Sequence, residues 1–129
     1  MNIVYFSNVS NNTHRLVRKV GLGGVRIPYR RTEEMPVIDG EYVLITPTYE
    51  LKDGVPHQVR VFLSINHAPV GIIATGNRNF AGNFGIAGRV LSNDLQVPEL
   101  VPPVEISGTS EDIQNIQWKV SEISVSVLS

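Results

Sequence analysis

The first candidate ligand-binding segment is a polar loop between the apolar run 3–6 and a segment with helical spacing. A helix N-terminus offers unpaired N–H groups and the positive end of the helix dipole, so a polar loop at that position suits a phosphate. It has neither the Gly-Lys-Ser/Thr of a Walker loop nor the Gly-x-Gly-x-x-Gly of a dinucleotide site. An ordinary helix cap would need one such side chain, whereas this loop has six, and we interpret it as a site for a phosphate monoester such as FMN. Its candidate ligands are Ser7, Asn8, Ser10, Asn11, Asn12 and Thr13.

Two further loops have compositions that suit a planar heterocycle. The first contains Pro47, Thr48, Tyr49 and Glu50, where the tyrosine ring can lie on a flavin, although a lone tyrosine at a strand end is more simply a rim residue. The second combines glycines, which let backbone amides come close to a ring, with asparagines and phenylalanines. Its candidate contacts are Gly76, Asn77, Arg78, Asn79, Phe80, Asn83 and Phe84. Three such loops together favour a flavin site more strongly than any one of them.

Segments with strand and helix patterns alternate along the chain and place these three loops at one edge of a sheet. Such alternation predicts right-handed crossovers and an open parallel sheet. We expect a three-layer α/β sandwich with strand order 2-1-3-4-5, formed as one domain by residues 1–129. In this fold ligands bind at the carboxyl ends of the strands where the order reverses, which are the ends of strands one, three and four. The predicted strands are 3–6, 25–28, 42–46, 70–74 and 100–106, with helices up to Gly21, over 55–65 and 84–95, and after a cap at Thr109 or Ser110.

Several other noticeable residues are not candidates for the site. The proline at position 28 is typical of an edge strand, and residues 30–41 read as a surface loop in place of a helix. Trp118 lies beside the apolar stripe of the last helix, where we expect it to pack. The three histidines lack metal-ligand spacing, so we predict no metal site, and no residue presents itself as a general acid, base or nucleophile. The stripe consists of Ile113, Ile116, Val120 and Ile123, and the histidines are His14, His57 and His67.

The composition excludes several classes of protein. Hydrophobic residues make up 42% and charged residues 18%, which is typical of a globular chain. A formal net charge of −1 gives no overall basic excess for nucleic acid or an anionic membrane. The absence of cysteine excludes disulfides and thiolate catalysis. No apolar stretch is long enough to span a bilayer, and no signal segment precedes the first strand, so we expect a cytoplasmic protein whose redox chemistry comes from a bound cofactor.

These motifs, in this order and spacing, resemble the NrdI proteins, which are flavodoxin-like activators of class Ib ribonucleotide reductase. The matching segments are 3–7, 10–15, 47–49, 76–80, 97–98 and 106–112. The resemblance implies a flavodoxin-like fold and FMN held by residues 7–13, with its ring between the Tyr49 loop and residues 77–84. It also implies a role: the reduced flavin reacts with dioxygen, and the resulting superoxide or peroxide oxidises a dimanganese site in the partner radical subunit to generate a tyrosyl radical. A flavin-reducing electron donor would be a second partner, and the protein would be a redox activator rather than a stand-alone enzyme.

One segment departs from this family pattern. Many members have a glycine-rich stretch after Pro-Thr-Tyr, whereas here residues 50–53 precede a single Gly54. Glycine permits the backbone rearrangements that would stabilise a flavin semiquinone, so flavin potentials and oxygen access are open here. Glu50 would also disfavour, and Arg78 would favour, an anionic reduced flavin nearby. Two other functions stay open as well: an ordinary flavodoxin that carries single electrons, and a binding module that keeps the fold without the flavin. Oxygen reactivity and binding to the radical subunit distinguish the activator from the carrier.

Overall fold

The computed structural model describes residues 1–30, 32–49, 53–77 and 84–128. Five parallel strands form one sheet in the order β2-β1-β3-β4-β5, which confirms the predicted topology. The elements are β1 Asn2–Tyr5, α1 Asn12–Val20, β2 Val25–Arg26, β3 Tyr42–Pro47, α2 His57–Ile65, β4 Gly71–Gly76, α3 Ile86–Leu95, β5 Val104–Glu105 and α4 Ser110–Leu128.

The sheet separates two hydrophobic cores. Residues 42–47 of β3 are all buried, as expected for a parallel strand covered by helices on both faces. On one face, Leu16 of α1 and Ile116 of α4 pack against the sheet. On the other face, Phe62 of α2 and Leu91 of α3 pack against it. The result is the three-layer sandwich that the sequence predicted, and in the part of the chain that the structure describes no helix is long and apolar enough to cross a membrane.

The two edge strands are shorter than predicted. The fifth strand was expected over residues 100–106 but comprises only Val104–Glu105. Before it the chain follows β4 through a bridge between Glu99 and Ile72, and Pro102 and Pro103 then interrupt the ladder because proline has no N–H to donate. β2 ends at Arg26, before Pro28, and lies at the sheet edge as predicted.

The prediction for the loop before β3 is confirmed, whereas the prediction for Trp118 is wrong. Residues 32–41 contain no helix or strand, as predicted, and Ile38 in this loop is buried, with its N–H donating to Asn66 Oδ1 at 2.7 Å. Trp118, in contrast, does not pack: it is 71% exposed. The inward stripe of α4 includes Ile116 and Val120, and a residue midway between them lies about 200° from each around the helix, so it faces solvent.

Thr109 forms a reciprocal cap at the start of α4. Its Oγ1 accepts from the N–H of Asp112 at 3.2 Å, and Asp112 Oδ2 accepts from the N–H of Thr109 at 2.9 Å. We expect Thr109→Ala to lower the free energy of unfolding by about 1 kcal/mol, measured by denaturant unfolding followed by circular dichroism. Thr109→Ser keeps the hydroxyl and should lose little; equal losses in the two variants would show that the cap does not stabilise the helix.

Candidate functional site

A cleft of about 230 Å³ opens at the carboxyl ends of β1, β3 and β4. This is the edge at which the sheet order reverses from β1 to β3, as predicted. Of the lining residues, only Thr75 and Ile106 were not among the candidates chosen from the sequence. The lining consists of Asn8, Ser10, Asn12, Thr13, Pro47, Thr48, Thr75, Gly76, Asn77 and Ile106.

The first loop is organised by its own hydrogen bonds. Ser7 is fully buried, and its Oγ accepts from the N–H of His14 at 3.1 Å, so it supports the loop and does not line the cleft. Asn8 Oδ1 accepts from both the N–H (3.1 Å) and the hydroxyl of Ser10. Asn11 lies outside the lining, because its Oδ1 accepts from Arg26 at 2.9 Å. The loop therefore presents Asn8, Ser10 and Asn12 to the cleft in a fixed arrangement.

The N-terminus of α1 contributes to the same end of the cleft. The helix starts at Asn12, after Asn11 in the left-handed region at φ 61°, and its first turn contains no acidic residue. The unpaired N–H groups and the positive dipole end are therefore not neutralised by a carboxylate of the first turn. With no carboxylate among the lining residues that the structure describes, this end of the cleft suits an anion.

Thr13 and Thr75 join two distant segments at the floor of the cleft. Both are buried, and their Oγ1 atoms lie 3.0 Å apart in a hydrogen bond between the start of α1 and the end of β4. Thr13 was predicted to bind a ligand, and it also holds the loop against the sheet. A hydroxyl at the last positions of a buried strand was the signal that could have indicated Thr75.

Thr48 has the one polar side-chain atom of the described residues that is buried without a hydrogen-bond partner. The hydroxyl of Thr46, on the same strand, donates to the carbonyl of Pro47 at 2.9 Å. Leaving a buried hydroxyl unpaired costs about 1–3 kcal/mol, so such a group in a native protein requires an explanation, for example a bound water, ion or ligand. Since Thr48 lines the cleft, a ligand is the partner that fits.

Tyr49 lies beside the cleft and not in its lining. Its ring meets Phe6 edge-on at 6.4 Å, and Phe6 stacks on Tyr29 at 6.2 Å, in a neighbouring concavity on the α2 side of the sheet. Burial, with a smaller contribution from Tyr29, raises the pKa of the Tyr49 hydroxyl. Its role as a flavin contact stays a prediction.

Most of the remaining candidate ligand contacts belong to the third loop. Phe84 lies against Gly76, where a Cβ would come within 3.2 Å of the phenylalanine Cδ1, so glycine permits this close approach. No group of three histidines, aspartates or glutamates in the described ranges could hold a metal ion. The other five candidates fall outside the described residues: Glu50, Arg78, Asn79, Phe80 and Asn83.

Ile106 lines the cleft from a fourth loop, which was not among the three loops predicted to bind a ligand. It has φ 55°, a conformation that costs a β-branched residue about 1–3 kcal/mol. Its N–H donates a hydrogen bond to the carbonyl of Gly76 at 2.8 Å, which holds it in place. Its side chain is 45% exposed. Its position at the carboxyl end of the fifth strand was the available signal, whereas nothing in a β-branched residue indicates a positive φ.

Comparisons with known proteins agree with the family resemblance found in the sequence. The family model described as NrdI flavodoxin-like matches residues 4–118. Protein NrdI of Mesoplasma florum is 45% identical over 130 residues, covering 95% of this chain and 85% of the relative. Protein NrdI of Pectobacterium carotovorum is 40% identical over 126 residues, covering 93% of each chain.

Solved structures of similar shape are flavodoxins. A short-chain flavodoxin associated with a PDU bacterial microcompartment has a TM-score of 0.63 at 11% identity, covering 97% of this chain and 96% of the other. A flavodoxin of Streptococcus pneumonia TIGR4 has a TM-score of 0.61 at 16% identity, covering 97% of both chains. At such identities the structures establish the fold, and the sequence matches establish the family. The chain belongs to the NrdI flavodoxin-like family.

Proposed function

We propose that this chain binds FMN in the cleft and acts as the redox activator of the radical subunit of a class Ib ribonucleotide reductase. Membership of the NrdI family supports the role. The observation that supports a bound ligand most directly is the buried, unpartnered hydroxyl of Thr48 at the reversal point of the sheet.

The lining residues fit a flavin mononucleotide. Asn8, Ser10 and Asn12 offer a hydroxyl and amides beside the N-terminus of α1, where they would hold the phosphate. Thr48 and Asn77 face the same cleft from the ends of β3 and β4 and would hold the polar chain of the cofactor. Among the described residues no lysine or arginine lines this cleft, in keeping with a phosphate bound through neutral donors.

Bound FMN would supply the redox chemistry, with dioxygen as the oxidant and superoxide or peroxide as the product that the radical subunit uses to oxidise its dimanganese site. The chain's own part is to bind and orient the cofactor. The loop hydrogen bonds fix the phosphate end, and the bond between Thr13 and Thr75 fixes the loop against the sheet. The protein therefore acts through position and electrostatics.

The Thr48 hydroxyl provides a sharp test of cofactor binding. We expect Thr48→Val to weaken FMN binding about threefold to tenfold, the worth of one hydrogen bond, as measured by titrating the apoprotein with FMN and following flavin fluorescence. The matched control is Thr46→Val, which removes a hydroxyl that already has a partner in the chain. Equal FMN affinity in both variants would remove Thr48 from the site, and a purified protein that neither contains nor takes up FMN would overturn the flavin proposal itself.

A separate experiment tests the activator role. The reduced protein is mixed with the manganese-loaded radical subunit and dioxygen, and tyrosyl radical is measured by electron paramagnetic resonance. Radical formation that depends on the reduced protein supports the activator. A protein that holds FMN and transfers single electrons, but gives no radical and does not bind the subunit, would be an ordinary flavodoxin.

A further inference from the structure

The first quarter of the chain has a strongly unbalanced charge. Residues 1–31 contain six arginines and lysines and no acidic residue, which gives a charge of +6. Residues 32–129 contain five basic and twelve acidic residues, which gives −7, and the two parts together give the formal net charge of −1. The near-neutral total therefore hides a basic segment and an acidic remainder.

The fold places four of these six cations on α1 and on the edge strand that follows it in the chain. Arg15, Arg18 and Lys19 are exposed on α1, and Arg26 is exposed on the neighbouring edge strand β2. We call these four residues the basic face. The edge strand has no further strand beyond it in the described sheet, so this surface is open to a partner.

The charges of the basic face are not neutralised within the described parts of the chain. The ion pairs of the described residues lie elsewhere: they join Arg60 to Asp53 and Asp94, and Lys119 to Glu122. The hydrogen bonds of the basic face go to neutral groups instead. Arg15 donates to the Ser10 carbonyl and Asn12 Oδ1, Lys19 to Ser107 Oγ and the Gly108 carbonyl, and Arg26 to Asn11 Oδ1 and the Ser7 carbonyl.

A concavity of about 440 Å³ borders the basic face, and Arg18 is the member of the face that lines it. Tyr5, His14 and Arg18 line it together with the glycines that follow α1, and Tyr5 Oη lies 2.7 Å from His14 Nδ1. Desolvation, with Arg26, Arg18 and Arg15, lowers the pKa of His14, because each of these cations opposes a further positive charge. An anionic group placed here would reverse that effect.

We propose that the basic face is a docking surface for a protein partner that presents a cluster of aspartate and glutamate side chains. Cations that have no carboxylate partner among the described residues, beside a concavity, attract such a surface and steer its approach. The patch is one nine-residue helix, about 14 Å long, and the edge strand beside it. An extended nucleic acid or a flat anionic membrane contacts a wider area than this helix and two-residue strand provide, so a compact acidic protein surface fits better.

The test uses the whole protein and a short synthetic peptide rich in glutamate and aspartate, with a length-matched glutamine and asparagine peptide as the control probe. Binding is followed at low ionic strength by the NMR signal of His14. We expect the acidic peptide to bind, its affinity to fall as salt is added, and the pKa of His14 to rise in the complex. Arg18→Gln should weaken binding about twofold to fivefold. Arg89→Gln, the matched change at an exposed position of α3, should not weaken it.

Three results would overturn the proposal. The first is no difference between the acidic and neutral peptides. The second is the same affinity loss for Arg18→Gln and Arg89→Gln. The third is stronger binding of a single-stranded oligonucleotide or of phosphatidylserine vesicles than of the peptide, which would assign the surface to a polyanion or a membrane. None of these outcomes depends on whether the cleft binds FMN.

Discussion

Replacing Phe62 by alanine is expected to lower the free energy of unfolding by about 3–5 kcal/mol, because the truncation leaves a cavity that the surrounding core fills only in part. Phe62 is fully buried on α2 and meets the ring of Tyr42 edge-on at 5.7 Å. It packs in the core between the sheet and the helices α2 and α3. The loss is measured by urea unfolding monitored by circular dichroism.

The neighbouring position provides the control for Phe62. Leu63, one residue later on α2, is only partly buried, so Leu63→Ala removes less packed surface and should cost clearly less. A loss below 1 kcal/mol for Phe62→Ala, or equal losses at the two positions, would contradict the packing of α2 described above.

The stability of the protein is expected to fall between pH 10 and pH 12 by roughly 2–3 kcal/mol on account of Tyr42 alone. Burial raises the pKa of Tyr42 to about 12, whereas the unfolded chain ionises near its ordinary value of about 10. The folded state therefore retains a proton that the unfolded state releases. The contribution is complete below about pH 10 and is lost as the pH rises through the folded pKa.

Tyr42→Phe isolates this effect from the other tyrosines, since burial also raises the pKa of Tyr5 and Tyr49 and their contributions are common to both proteins. The variant loses the hydrogen bond from the Tyr42 hydroxyl to the His67 carbonyl at 2.5 Å, so it should be about 1 kcal/mol less stable at neutral pH. Its free energy of unfolding should nevertheless decline less between pH 10 and pH 12. Parallel profiles for the two proteins would mean that Tyr42 is not protected from ionisation in the folded state.

Side-chain periodicity was sufficient to predict the architecture, because it reports which faces of a strand or helix are buried. The continuous apolar run at 42–46 indicated a strand covered on both faces, and the spacing of Ile116 and Val120 indicated the inward side of the last helix. The rule for parallel sheets then placed three loops at one edge, where the structure has the cleft.

Periodicity also has limits that Trp118 and the fifth strand make plain. An apolar side chain next to a buried stripe does not have to be buried, since a shift of two positions turns it to the opposite side of the helix. The prolines at 102 and 103 removed the donors that a longer edge strand would need, so pairing was confined to Val104–Glu105.

Which side chains share the cleft depends on contacts between segments that are far apart in the sequence. The hydrogen bond between Thr13 and Thr75 spans 62 positions of sequence, and no local pattern predicts such a contact. The same is true of Thr48, whose hydroxyl has no described partner because of where the surrounding segments lie, and of the four cations that α1 and β2 bring together. Residue types indicate which chemistry a segment can support, whereas the packing of distant segments determines which of these groups meet, and at this edge of the sheet it left a buried hydroxyl with no partner among the described residues.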